Sequence, residues 1–311
     1  MSAANTGEIA QGPPTTVPLS LSFDGLQELI MIVITGATGN VGRPLVAALA
    51  GAGERVTAVS RRPVADAGVA GVRSVAADLG DAASLRPALE GADALFLMVP
   101  PDVLGGGGGP DEVVKAAVSS GVRKVVVLSS LINGTRPQAR SHEVLRVWEE
   151  AVQGSGLDWT VLRPGSFATN TLAWADSVRA ERTVYAPFGE VALPVVDPDD
   201  LAAVAAMVLR EEGHAGRVHE LTGPAAVSPR EQTAALGAAL GIPLVFVELT
   251  RAQARARMVR FLPEAVADGT LDVLGAPLPG ERRVSPAVEA LLGRAPGSFR
   301  AWADRVAAAF R

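Results

Sequence analysis

The chain has 311 residues, enough for one large domain or two closely joined ones whose core needs no covalent staples. It contains no cysteine, which excludes disulfides, thiolate metal sites and cysteine nucleophiles and fits a reducing cytoplasm. Acidic residues outnumber basic ones 33 to 28, the basic residues are scattered, and no stretch reaches the roughly 18 apolar residues of a membrane span, so neither nucleic acid nor a bilayer is an expected partner.

Residues 1–30 lack the basic start and apolar block of a secretion signal and hold no arginine for a mitochondrial one. Met31 directly opens the first strand, so this stretch reads as a flexible tail; alternatively "LSLSFDGLQELI" docks on a neighbouring subunit. From Met31 the apolar runs "MIVIT", "RVTAVS", "VRSVAA", "ALFLMV", "KVVVLSS" and "WTVLRP" alternate with helical stretches such as "GRPLVAALAGAG", "VVKAAVSSGV" and "LRVWEEAVQGSG". Strands this uniformly apolar are parallel and covered on both faces, which predicts a doubly wound α/β Rossmann-type domain over residues 31–164. Beyond Pro164 the pattern loosens. "PDDLAAVAAMVL" predicts a helix with an Asp cap, "RVHELTG" a strand, and "SPREQTAALGAALG" a helix opened by a capping box of Ser228 and Glu231 with Pro229 in its first turn. Residues 165–311 are expected to form mainly a smaller substrate lobe, with one or two elements returning to the main sheet.

The stretch "IVITGATGNVGRPL" places Gly36, Gly39 and Gly42 in a G-x-x-G-x-x-G turn between a strand and a helix. Such glycines allow a tight turn, close approach of backbone to a pyrophosphate and close helix packing, with the anion over the helix N-terminus. No Lys-Ser or Lys-Thr follows them, which argues against a nucleoside triphosphatase. A site for NAD usually has Asp or Glu at the end of the second strand, whereas this chain has Ser60, Arg61 and Arg62 in "AVSRRP". An arginine fork there suits the 2′-phosphate of NADP; the plainer alternative is a solvated basic turn. NADP(H) is the expected cofactor.

With "TGATGNVG", "SRRP", "ADL", "VVVLSS" and "SGLDWTVLRPG" in this order, the chain resembles the short-chain dehydrogenase/reductase superfamily from Met31 to about Val227. The similarity is to its atypical NmrA-like branch, which includes the NADPH:quinone oxidoreductase group. The resemblance implies that backbone around Thr38, Gly39, Asn40 and Val41 meets the pyrophosphate, that Asp78 and Leu79 hold the adenine, and that Val99, Pro100 and Pro101 line the cofactor cleft. It further implies that Ser129 and Ser130 face the nicotinamide ribose or substrate, and that Pro164, Gly165 and Phe167 shape the nicotinamide pocket. Taken alone, Asp78 reads as a loop cap, the two serines as a strand end and Pro164 as a stop after a strand.

Most of that superfamily uses Tyr-x-x-x-Lys, the tyrosine giving a proton to the carbonyl oxygen. Here the one tyrosine, Tyr185, is followed four residues later by Gly189, and the residues four before Lys115 and Lys124 are Asp111 and Ser120. In the corresponding helix, "SHEVLRVWEEAVQ", the polar candidates are Ser141, His142 and Glu149. NmrA-like relatives often carry His-x-x-x-Glu there, but Leu145 stands opposite Glu149 in this chain and His142 lies one turn earlier. Ser129, His142 and Glu149 are the candidate catalytic residues: His142 could exchange a proton near neutral pH, and Glu149 could orient a ligand or water. Alternatively His142 and Glu149 sit on the solvated edge of a helix whose Leu145, Trp148 and Val152 face the core. No metal is expected, since His214 and His219 have no partners at useful spacing.

Hydride delivery to a simple ketone creates an alkoxide that needs a strong proton donor, whereas a quinone yields a phenolate-like oxygen with a conjugate acid of pKa about 10 that water can protonate. The expected function is therefore NADPH-dependent reduction of a small conjugated or quinone-like compound by a cytoplasmic monomer or homodimer. A redox sensor that binds NADP without turnover, or a cyclase or isomerase reusing the cleft, are the alternatives. The run "LGGGGGP" at residues 104–110 reads either as a mobile segment at the cleft mouth or as a solvated linker.

Overall fold

The computed structural model describes residue 1 and residues 30–62, 68–99 and 109–311. Pro100, Pro101, residues 2–29 of the N-terminal stretch and residues 104–108 of the glycine run lie outside the described residues. The strands, in chain order, are β1 (Met31–Thr35), β2 (Arg55–Ser60), β3 (Val72–Ala76), β4 (Ala94–Met98), β5 (Lys124–Leu128), β6 (Asp158–Pro164), β7 (Ser166–Phe167), β8 (Thr183–Pro187), β9 (Leu193–Val196), β10 (Arg217–Leu221), β11 (Ala226–Val227) and β12 (Val245–Leu249). Seven of them form one sheet in the order β10-β6-β5-β4-β1-β2-β3. All its pairings are parallel, with Ile32 opposite Ala94 and Val161 opposite Val218. This is the doubly wound Rossmann-type arrangement, with the reversal of strand order, where such sheets bind ligands, falling between β1 and β4.

Alternation along each strand feeds two cores. In β4, Leu95 and Leu97 pack with Val113, Val127, Trp148 and Val152 beneath the helices Pro110–Ser119 and Glu143–Gln153. Ala94 and Phe96 point the other way, toward Leu45, Leu49, Leu201 and Val208 of the helices Gly42–Gly51 and Pro198–Arg210. The second of these helices starts as its sequence directs, with Pro198 in its first turn and the Asp197 side chain accepting from the Asp199 N–H at 3.1 Å. It is apolar on most sides because it lies between the sheet and the helices Gly42–Gly51 and Ala287–Leu292.

The remainder builds a second body against the C-terminal ends of β5, β6 and β10. In it β9 sits between β7 and β11, and β8 pairs in parallel with β12. A third core gathers Val184, Leu236, Trp302 and Phe310. The helix Pro229–Leu240 opens with the reciprocal Ser228–Glu231 capping box. Among the described residues no helix is long and apolar enough to cross a membrane.

Candidate active site

The glycine turn is shaped by contacts that leave no room for a side chain. Gly36 has φ +63°, and a Cβ there would lie 2.3 Å from Met98 Cε; at Gly42 it would lie 2.1 Å from the Gly36 carbonyl oxygen. Gly39 is less tight, a Cβ there lying 3.0 Å from Met98 Cε and 3.2 Å from the Gly36 carbonyl oxygen. The turn is closed by Gly39 N–H donating to Gly36 O at 2.9 Å and is tied to the end of β2 by Ala37 N–H donating to Val59 O at 3.1 Å. Thr35 Oγ accepts from the Met98 N–H at 2.8 Å, joining the ends of β1 and β4. The helix that follows has neither a side-chain cap nor an acidic residue in its first turn, so no side-chain oxygen and no negative charge of its own competes with an anion at its positive end. Thr38 and Asn40 are exposed, while the Val41 side chain is buried beneath the turn and offers only its backbone. These features fit a dinucleotide pyrophosphate.

Beside the cradle, Arg61 and Arg62 are exposed where β2 ends, and Ser60 Oγ donates to the Arg62 carbonyl at 2.9 Å. Asp78 is half-buried, with its carboxylate accepting from the Gly80 N–H at 2.9 Å; Leu79 and Val99 are buried. The ends of three strands are brought level by Ser129 N–H to Leu162 O at 2.8 Å, Leu131 N–H to Pro164 O at 2.9 Å and Gly165 N–H to Leu221 O at 2.9 Å. Gly165 also lets β9 approach: a Cβ on it would sit 3.3 Å from the Pro194 carbonyl oxygen. Phe167, half-buried on β7, pairs with Val196.

At the end of β5 the structure assembles four polar side chains. Ser129 Oγ donates to Glu149 Oε1, and Asn133 Nδ2 reaches both Ser129 Oγ and Glu149 Oε1 at 3.0 Å. Arg163 grips the same carboxylate from β6, with Nε at 3.1 Å from Oε1 and a terminal guanidinium nitrogen at 2.5 Å from Oε2. Glu149 is only 3% exposed, so the solvated-edge alternative is incorrect for this residue. Burial alone would raise its pKa; the bonds from Arg163, Ser129 and Asn133 outweigh that and hold it below the usual carboxylate range. Ser129 and Glu149 thus meet directly, and the serine hydrogen is committed to the carboxylate.

His142 stands apart. Its Nδ1 lies 3.0 Å from Ser141 Oγ, and Ser141 presses on Gly269, where a Cβ would come within 2.2 Å of that hydroxyl. Its segment therefore docks on the helix Glu264–Gly275. Burial, then the charge of Arg146, pushes the imidazole pKa below its usual value. Tyr185 is placed elsewhere again: its hydroxyl donates to Glu181 at 2.6 Å, and its ring packs with Leu249, Ala254 and Leu271 under Arg257. No group of three His, Asp or Glu side chains among the described residues could hold a metal.

Two members of the Ser129 cluster are not singled out by motif. Arg163 could have been found as the only charge within the apolar run "WTVLRP", because an arginine inside a covered strand demands a carboxylate partner. Asn133 lies four residues after Ser129, as the second residue of the short helix Ile132–Thr135, a spacing that carries no known signature.

The NAD(P)H-binding family matches the chain over residues 36–212. The (4-alkanoyl-5-oxo-2,5-dihydrofuran-3-yl)methyl phosphate reductase of Streptomyces griseus is 40% identical over 289 residues, covering 90% of this chain and 99% of that protein. The NAD(P)H azoreductase of Xenophilus azovorans is 32% identical over 90% of this chain and 99% of its own. Among solved structures, the NADPH-dependent quinone oxidoreductase of Escherichia coli complexed with NADPH superposes with a TM-score of 0.75 at 28% identity, covering 89% of this chain and 99% of that one.

Proposed function

The chain belongs to the NAD(P)H-binding family, and from that premise we propose that it reduces a small, electron-poor conjugated acceptor at the end of β5 and β6. It is an NAD(P)H-dependent oxidoreductase. The observation that carries our reading is the commitment of the Ser129 hydrogen to a carboxylate already clamped by Arg163 and Asn133. A hydroxyl so placed orders the strand end and is a poor proton donor, and Tyr185 belongs to another cluster. Acceptors whose reduced form needs no strong acid fit such a site: a conjugated lactone or enone, a quinone, a protonated imine or an azo bond. The named substrates of the two relatives and of the quinone reductase fall in this class.

Bound NADPH supplies the hydride. In our reading the backbone of Thr38, Gly39, Asn40, Val41 and Gly42 holds its pyrophosphate, Arg61 and Arg62 with Ser60 select its 2′-phosphate, and Asp78, Leu79 and Val99 line the adenine side. Ser129, Pro164, Gly165 and Phe167 set the position of the nicotinamide end, and the Ser129 cluster keeps water from reordering the wall behind it. With a conjugated lactone the β-carbon takes the hydride, the electron pair moves to the carbonyl oxygen, and water returns the proton. The test is NADPH oxidation with a panel of quinones, enones, imines, an azo dye and an alkanoyl dihydrofuranone methyl phosphate, using nicotinamide carrying deuterium on its reactive face. Deuterium on carbon in the lactone or enone product supports the reading. Tight NADPH binding with no acceptor reduced would favour a sensor instead, and product formed without NADPH a cyclase or isomerase.

A further inference from the structure

Glu281 is a buried carboxylate, 3% exposed, that the chemistry above does not use. It lies in the short helix Pro279–Arg282, on a strap that crosses from the second body to the ends of β5 and β10. Four donors converge on it. Arg136 contributes Nε at 2.6 Å and a terminal nitrogen at 2.9 Å, Thr135 its hydroxyl at 2.9 Å and Leu278 its backbone N–H at 2.8 Å. The strap is pinned at further points. Arg136 also donates to the Ala276 carbonyl at 2.8 Å, Arg283 to Glu220 at 2.5 Å, and the Ser285 N–H to Thr222 Oγ at 2.8 Å. Its close seating uses Gly280, where a Cβ would stand 3.0 Å from Thr135 Cγ2.

Thr135 and Arg136 end the same short helix, Ile132–Thr135, that carries Asn133. One face of it therefore binds the Ser129–Glu149 pair and its end binds Glu281. A helix of this length has little intrinsic stability and takes its position from what grips it. We propose that Glu281 is a positioning residue for hydride transfer: through Thr135 and Arg136 it fixes the helix whose Asn133 holds Ser129 at the nicotinamide end of the sheet. The second body thereby sets the geometry of a site built on the first. The proposal rests on the reductase reading.

The experiment compares Glu281→Gln, Asn133→Ala and their combination in the full chain, with Asp200→Asn as a control. Asp200 is an equally buried carboxylate whose bonds, from Arg294 and the Gly297 N–H, involve neither Glu281 nor the Ser129 cluster. Amide exchange over residues 131–136, NADPH affinity, and kcat and KM for the best acceptor are measured. Glu281→Gln is expected to strip exchange protection from residues 131–136, leave NADPH affinity within about twofold and lower kcat on the order of tenfold, since small displacements cost rate more than binding. The double variant should lose no more than the worse single one, because both act on one helix. Asp200→Asn should lower thermal stability with kcat unchanged. Thr135→Val, which deletes one donor only, should reproduce the pattern at smaller amplitude and serves if Glu281→Gln fails to fold. Losses that multiply in the double variant, or a kcat change no larger than that of Asp200→Asn, would overturn the proposal. If the native protein reduces no acceptor yet Glu281→Gln still loosens residues 131–136, the reductase reading fails and the link to the helix stands; unchanged exchange there overturns the link whatever the turnover.

Discussion

Arg163→Met should be among the most damaging single substitutions near the site. The variant keeps the volume of the arginine stem but removes two of the bonds to Glu149, Nε at 3.1 Å and the guanidinium nitrogen at 2.5 Å. The carboxylate stays buried, its side chain 4% exposed, with only Ser129 and Asn133 as donors. Leaving one member of a buried ion pair uncompensated costs about 3–5 kcal/mol. The sign of the pH dependence follows. In the native protein the folded pKa of Glu149 lies below its unfolded value, so its contribution is present above the unfolded pKa and is lost as pH falls through the folded one. Without the guanidinium, both lowering influences of Arg163 are gone while burial remains, so the folded pKa rises. The penalty is then full at neutral pH and fades as acid protonates the group, so the gap between variant and native protein should narrow on acidification. Removing both charges in Glu149→Gln with Arg163→Met should recover about 1–3 kcal/mol relative to Arg163→Met alone. Urea unfolding followed by tryptophan fluorescence at pH 7.5 and pH 5 reads all three, since Trp148 adjoins Glu149 in the same helix and is itself 1% exposed. A loss below about 1 kcal/mol, or a gap that does not change with pH, would refute the account of Glu149 as a clamped buried carboxylate.

NADPH should bind at least about tenfold more tightly than NADH, from charge-assisted bonds of roughly 1.5–3 kcal/mol, and Arg61→Ala with Arg62→Ala should abolish the preference; calorimetric titration with both cofactors decides. Gly39→Val should abolish binding of either cofactor while the fold persists by circular dichroism, because even a Cβ there comes 3.0 Å from Met98 Cε and the larger side chain fills the turn. Tyr185→Phe should retain most of kcat, since its hydroxyl is bound to Glu181; a hundredfold loss in steady-state turnover would return the tyrosine to the chemistry. Both Glu149 and Glu281 have folded pKa values below the usual range, so the stability they contribute should be full above the ordinary carboxylate pKa and decline as pH falls from there to the folded values, which an acid titration of the unfolding free energy measures.

The Rossmann sheet is legible because each strand is a short apolar run and each crossover a helical pattern. The glycine turn is legible because its spacing reflects contacts too close for a Cβ. The position of Glu149 was also written in the sequence, though its residue type argued otherwise. Leu145, Trp148, Glu149 and Val152 recur at i, i+3, i+4 and i+7, one face of a helix, and that face is the covered one. What stayed hidden is which neighbours make burial tolerable. Arg163 comes from a strand and Asn133 from a separate short helix, and only the β5–β6 pairing, with Leu128 opposite Leu162, brings them to the carboxylate. Glu281 is harder still, since its partners Thr135 and Arg136 precede it by well over a hundred residues and no local pattern links them.

The place of β10 carries a lesson about how this protein can be made and cut. Its pairing with β6 completes one edge of the cofactor sheet, and the helix Pro198–Arg210 covers a face of that sheet, yet both are encoded after the first elements of the second body. A nascent chain that has only just left the ribosome through β6 presents an unpaired strand edge and an apolar face still waiting for its cover. Chimaeras that exchange the second body with a relative's should therefore not be joined directly after Pro164. A graft that carries β7 to β9 as an insertion, and keeps the helix Pro198–Arg210 and β10 with their own sheet, preserves the β6–β10 pairing and the helix that covers that face.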